Sequence, residues 1–92
     1  HNLYKVEWDN EAGSPAADRF DAFITGKVKD RDDSAVIHFD SHPDADYAVP
    51  TPDHFLPLLY TLGASIGENP RVFNAVRNLG SMSMTGYVFG LC

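Results

Sequence analysis

A single mixed α/β domain is predicted for this chain by three observations. The segment from Thr51 to Gly63 opens on a proline and carries apolar residues at helical spacing, and the segment from Ser14 to Gly26 has the same signature. The third is the C-terminal run SMSMTGYVF, which alternates polar and apolar residues as a half-buried strand does. The 92 residues suffice for one modest core and are too few for two, so residues 1–92 are taken as part of one domain.

Taken in order, His1 to Trp8 alternates well enough for a strand, as though its upstream end had been cut, and it runs into the turn-rich DNEAGSP. Ser14 is then a cap and Pro15 a first helical residue, with Ala16, Phe20, Phe23 and Ile24 sharing a face and Gly26 near the end. Lys27 to Asp33 is charged and solvated. Ser34 to Phe39 fits a short helix or a buried strand, and the helix is preferred; DSHPDADYAVP after it reads as a loop. In the next helix Thr51 is the expected N-cap and Pro52 the N1 residue. Phe55, Leu56, Leu58, Leu59 and Leu62 make its apolar stripe, and Gly63 ends it. Pro57 either kinks this helix or divides a tight turn from the main body. Arg71 to Val76 has strand character, Asn78-Leu79-Gly80 turns the chain, and the last run completes a β-hairpin with Met82 and Met84 on its buried face. Trp8 and Tyr87 are expected as core or interface aromatics.

Seven basic residues against 13 acidic ones give a net charge of -6, which argues against a nucleic-acid partner, since phosphate binding needs clustered Lys and Arg. No apolar run approaches the ~20 residues that cross a bilayer, and no charged region with an apolar signal segment opens the chain. A single cysteine, Cys92, excludes an internal disulfide and is read as a free thiol. A cytoplasmic protein without a membrane partner is expected.

The chemistry-bearing candidates are histidines. His38, Asp40, His42, Asp44 and Asp46 crowd into HFDSHPDAD, a composition that suits either a metal or a solvated rim beside a substrate; Pro43 interrupts any helix that would align the two imidazoles. His54 is expected in the first turn of its helix, where it either caps locally or presents an imidazole to a ligand. His1 is terminal, and a terminal residue of an isolated chain is ordinarily frayed. No motif here cradles a phosphate, and no Ser or Cys nucleophile is paired with a base.

Three stretches change the weighting of these histidines. HNL at residues 1–3, PTPDHFLPLLYTLGA at 50–64 and GSMSMTGYVFG at 80–90 resemble, in order and spacing, the C-terminal third of class III extradiol ring-cleavage dioxygenases of the 4,5-DOPA dioxygenase-like branch, which is related to the protocatechuate 4,5-dioxygenase β subunit. The resemblance implies the C-terminal part of a class III extradiol dioxygenase-like α/β domain, with helices and a C-terminal β-hairpin, whose N-terminal segment is missing here. It implies Fe(II) or Zn(II) as the metal, and a catechol-type small molecule and O2 as substrates. On that resemblance His54 is a metal ligand, and His1 is either a further ligand or the acid/base that handles protons. Adjacent helical residues point about 100° apart, so Asp53 and His54 cannot both face one ion; His54 is chosen and Asp53 held in reserve. His42 resembles a histidine on the substrate side. Further histidines of the family lie upstream, so the 92 residues alone are expected to be inactive. The alternative reading is a non-enzymatic acidic interaction or metal-binding module built on the loop around His42.

Overall fold

The computed structural model describes residues 1–90, so the expectation of a free thiol at Cys92 lies outside the described residues. The longest element is α1 (Pro15–Lys29). Ser14 caps it as the sequence indicates, its hydroxyl accepting from the Ala17 N–H at 3.2 Å, with Pro15 at the first helical position. The buried stripe is Ala17, Phe20, Ile24 and Val28, one residue round from the expected face at Ala16, and the helix runs three residues past Gly26. Gly26 lies within it because the two following residues, Lys27 and Val28, remain helical and Val28 is fully buried.

Helix α2 (Asp33–Ile37) takes the helical option for its segment, capped by the Asp32 carboxylate on the Ala35 N–H. Its one buried side chain, Val36, meets α1 and α4 (Leu56–Ala64) in the core with Phe20, Ile24, Val28, Ala45 and Leu62. The segment expected as a loop contains a 3-10 turn at Phe39–Ser41 and a one-turn helix, α3 (Ala45–Ala48), whose Ala45 is buried against α1. Arg19 on α1 grips Asp44 just before α3 through both carboxylate oxygens at 2.8 and 2.9 Å. That hydrogen-bonded pairing holds the Asp44 carboxyl below the ordinary carboxylate range.

The C-terminal hairpin is present in two nested pieces. Strand β2 (Arg77–Asn78) pairs antiparallel with β3 (Met82–Ser83) around the turn, and β1 (Arg71–Phe73) pairs antiparallel with β4 (Gly86–Val88) outside it. The register shifts by one between the pieces, from Phe73↔Gly86 to Arg77↔Ser83, so the first arm carries an extra residue: a bulge, at which Asn74 adopts φ 50°. Met84 falls in this interruption and is 51% exposed, against the expectation that it shares a buried face with Met82. At the turn, Leu79 and Gly80 both take positive φ, and Gly80 also sits where a Cβ would collide with the Glu7 side chain. The hairpin is tied to α1 by Arg77, which donates to Asp18 and to Asp21 at 3.0 Å, and by the Ser83 hydroxyl on Asp21 at 2.7 Å.

The N-terminal strand does not form. Leu3–Lys5 is a 3-10 turn, and Leu3, Tyr4 and Trp8 are exposed, so Trp8 is no core aromatic among the described residues. A strand needs a neighbour for its backbone groups, and here the first residues bond instead to the hairpin turn and to α3. Among the described residues no helix is long and apolar enough to cross a membrane.

Candidate functional site

The first turn of α4 is not where Thr51 and Pro52 indicated. Pro57 occupies the second helical position, which sets the start of α4 at Leu56, and Thr51 to Phe55 form a separate tight turn closed by the Phe55 and Leu56 N–H groups on the Pro52 carbonyl, both at 2.9 Å. Thr51 makes no capping bond; Phe55 is the residue before the helix, and the helix ends past Gly63, at Ala64. His54 therefore lies on a proline-bounded turn ahead of α4. Phe55 fixes that turn from beneath, its ring lying 4.3 Å from that of Phe39 and 6.2 Å from that of Phe20.

His1 is placed by its neighbour. The Asn2 side chain is buried, its amide donating to the Tyr47 carbonyl at 2.7 Å and its oxygen accepting from the Tyr4 N–H at 2.9 Å. Its backbone is bonded both ways to Ser81, the N–H donating to the Ser81 carbonyl and the carbonyl accepting from the Ser81 hydroxyl. Asn2, the next residue, is thus tied to α3 and the hairpin turn. Replacing Asn2 with Ala removes both side-chain bonds and leaves the half-buried Tyr47 carbonyl short of a donor, so we expect a loss of about 1–3 kcal/mol in chemical denaturation. The same variant should broaden the His1 ring signals in NMR while leaving those of His38 sharp.

These two supports bring His1 and His54 to the same place. Both line a cavity of about 210 Å³ whose inner wall is Phe20, Ile24, Phe55 and Tyr87. Both also line a second, outer cavity of about 370 Å³, with Leu3, Tyr4 and Asp53. Asp53 and His54 share one turn and one cavity outside regular helix, so the 100° argument that separated them does not apply at these positions. Burial pushes the Tyr87 phenol up, opposed in part by its hydrogen bond at 2.9 Å to Thr25, so the phenol stays protonated across the physiological range.

The acid-rich loop is arranged otherwise. The His42 ring packs edge-on against Phe20 at 5.5 Å and tilted against Phe23 at 4.7 Å, and its Nδ1 accepts from the Asp44 N–H at 3.0 Å. His38 is exposed, its Nδ1 2.7 Å from the Ser34 carbonyl. One ring nitrogen of each is engaged locally, Asp44 is paired with Arg19, and His42 packs on α1. Among the described residues no group of three or more His, Cys, Asp or Glu side chains is placed to hold a metal ion. Imidazoles suit first-row transition metals, and the pair at positions 1 and 54 has the right chemistry for part of such a site. A closed set needs further donors.

Sequence reasoning missed Asn2, Tyr87 and Thr25 as contributors to this region. Asn2 was visible only as the middle of HNL; its role rests on bonds to Tyr47 and Ser81, far along the chain. Tyr87 was legible as an aromatic but its hydroxyl partner on α1 was not.

A comparison with curated proteins finds a distant relative. The chain is 30% identical over 95 residues to the 4,5-DOPA dioxygenase extradiol of Escherichia coli (strain K12), an alignment that takes in 98% of this chain and 35% of the relative. The chain thus spans about a third of the length of that protein. The match supports a distant relationship to that protein and no more. No family model matches the chain, and no solved structure matches it significantly.

Proposed function

We propose that this chain is the C-terminal segment of a non-haem, metal-dependent extradiol dioxygenase that opens catechol-type rings with O2, and that it supplies half of the active site. The observation that carries the reading is the convergence of His1 and His54 on one aromatic-walled cavity, in a chain whose curated relative is itself named as an extradiol dioxygenase. The remaining donors come from the portion of the domain that the alignment to the relative leaves uncovered.

In this reading His54 is a metal ligand, with Asp53 beside it, and His1 is a second ligand or the group that accepts a proton from a catechol hydroxyl. The ion these residues would help to hold is Fe(II) or Zn(II), which would supply Lewis-acid chemistry toward the catechol and, as Fe(II), reactivity toward O2. The chain's own residues do the rest. Phe20, Ile24 and Phe55 give the ring an apolar seat, and a ring nitrogen of the imidazole is suited to collecting the proton released as the catechol binds. Tyr87, kept neutral, can donate a hydrogen bond to an oxygen of the substrate.

The expected result is that the 92 residues alone show no saturable oxygen uptake with Fe(II) and DOPA or protocatechuate. The same chain complemented with the part of the E. coli relative that it does not cover gains uptake together with the yellow colour of a ring-opened semialdehyde. Saturable turnover by the isolated chain would contradict the half-site assignment.

A further inference from the structure

The two longest helices differ in what they leave uncovered. Helix α1 buries one stripe and carries charged residues on the rest of its surface, Asp18, Arg19, Asp21, Lys27 and Lys29, the ordinary pattern of a helix with one side in water. Helix α4 reads LPLLYTLGA and carries no charged residue, yet Leu62 is its one buried residue among the described residues. Leu58 and Leu59 pack partly against the core, while Leu56 is 38% exposed and Tyr60, one turn on, is 79% exposed. Leu56, Tyr60 and the exposed Gly63 stand at i, i+4 and i+7, so they form one uncharged stripe that nothing covers among the described residues. A helix that is apolar all round belongs in an interior.

We propose that this stripe of α4 is the face on which the rest of the domain docks, namely the counterpart of the portion of the E. coli relative that the alignment leaves uncovered. The proposal rests on the dioxygenase reading and names the surface that joins the two parts. The alignment takes in 35% of the relative, so most of a protein of that length remains to be packed against these residues. A second copy of this chain fits the stripe less well. Nine helical residues are about 13 Å long, and at about 10 Å of width they offer on the order of 150 Å², against the ~800 Å² per partner of a stable complex. A covalently continuous part of the same chain needs no such area, because its effective concentration is already high. Leu56 also lies two residues along the chain from His54, so an element seated on it stands beside the turn that needs further metal donors.

The test reads the accessibility of position 60. In a Cys92→Ser background, Tyr60→Cys and, as a control on the charged surface of α1, Lys29→Cys are labelled with a maleimide and quantified by mass spectrometry. Labelling is followed in the isolated chain and in the chain joined to the uncovered part of the E. coli relative. Joining should slow the labelling of Tyr60→Cys at least about tenfold while leaving Lys29→Cys within about twofold. Tyr60→Lys, which sets a charge on the stripe, should leave the urea midpoint of the isolated chain in place and lower oxygen uptake by the joined protein about tenfold or more. Unslowed labelling of Tyr60→Cys in a joined protein that takes up oxygen overturns the proposal and leaves the dioxygenase reading in place, as does full uptake by the Tyr60→Lys protein. Protection that appears in the isolated chain as its concentration rises assigns the stripe to a second copy and overturns the proposal likewise. Protection without uptake upholds the docking face and removes the dioxygenase reading; neither protection nor uptake overturns both.

Discussion

His54→Ala in the complemented protein is expected to bring oxygen uptake with Fe(II) and a catechol to background. Metal affinity should fall by at least the ~10–100-fold that loss of a mere supporting partner of a ligand costs. The reasoning is geometric. His54 sits on a turn bounded by Pro52 and Pro57, held from below by Phe55, and that turn borders both cavities that His1 also borders. Truncation at an exposed position removes the imidazole without opening the core, so thermal stability of the apo-protein should stay within about 0.5 kcal/mol of the parent. Replacing both His38 and His42 should do the reverse, leaving metal affinity intact while lowering stability, because His42 is packed on Phe20 and Phe23. Metal loss on the second substitution and not the first would transfer the site to the acid-rich loop.

The largest stability effect is expected at Phe20. This side chain is 7% exposed and stands at the centre of the small core, touching the rings of His42 and Phe55 and lining the inner cavity. Phe20→Ala in such a site costs about 3–5 kcal/mol, combining lost burial with an unfilled cavity. A domain of this size holds only ~5–14 kcal/mol in all, so the midpoint of urea denaturation should fall steeply, to the point of partial unfolding at 37 °C. The same change removes support from the Phe55 ring and so loosens the His54 turn, coupling stability to metal affinity. A cost below about 1 kcal/mol would mean that the core collapses around the void and that Phe20 does not position the turn.

What the sequence disclosed was whatever is decided locally. Ser14 and Pro15 announce α1 because an N-cap hydroxyl and a proline at N1 act within one turn of chain. The hairpin was legible from its turn residues and alternation, but its bulge was not, since the extra residue on the first arm shows only in the pairing of Phe73 with Gly86 and of Arg77 with Ser83. At His1 to Trp8 alternation pointed to a strand, and what decides the outcome is Asn2 bonding to Tyr47 and Ser81, 45 and 79 residues away. At α4 two competing starts, Thr51-Pro52 and Pro57, were both readable; the later proline prevailed, and the turn ahead of it is what holds His54. Of the candidate site, His1 and His54 were singled out through resemblance alone. Their meeting at one cavity and the packing role of His42 depend on tertiary contacts that spacing does not encode.

The most direct test of the central claim, that positions 1 and 54 face one ion, is a zinc titration of the isolated chain followed through the ring resonances of its four histidines. The account predicts that the His1 and His54 signals move together, with one midpoint that either single alanine variant abolishes, while His38 and His42 stay in place. Signals of His38 and His42 that move first, or His1 and His54 responding with unrelated midpoints, would contradict it.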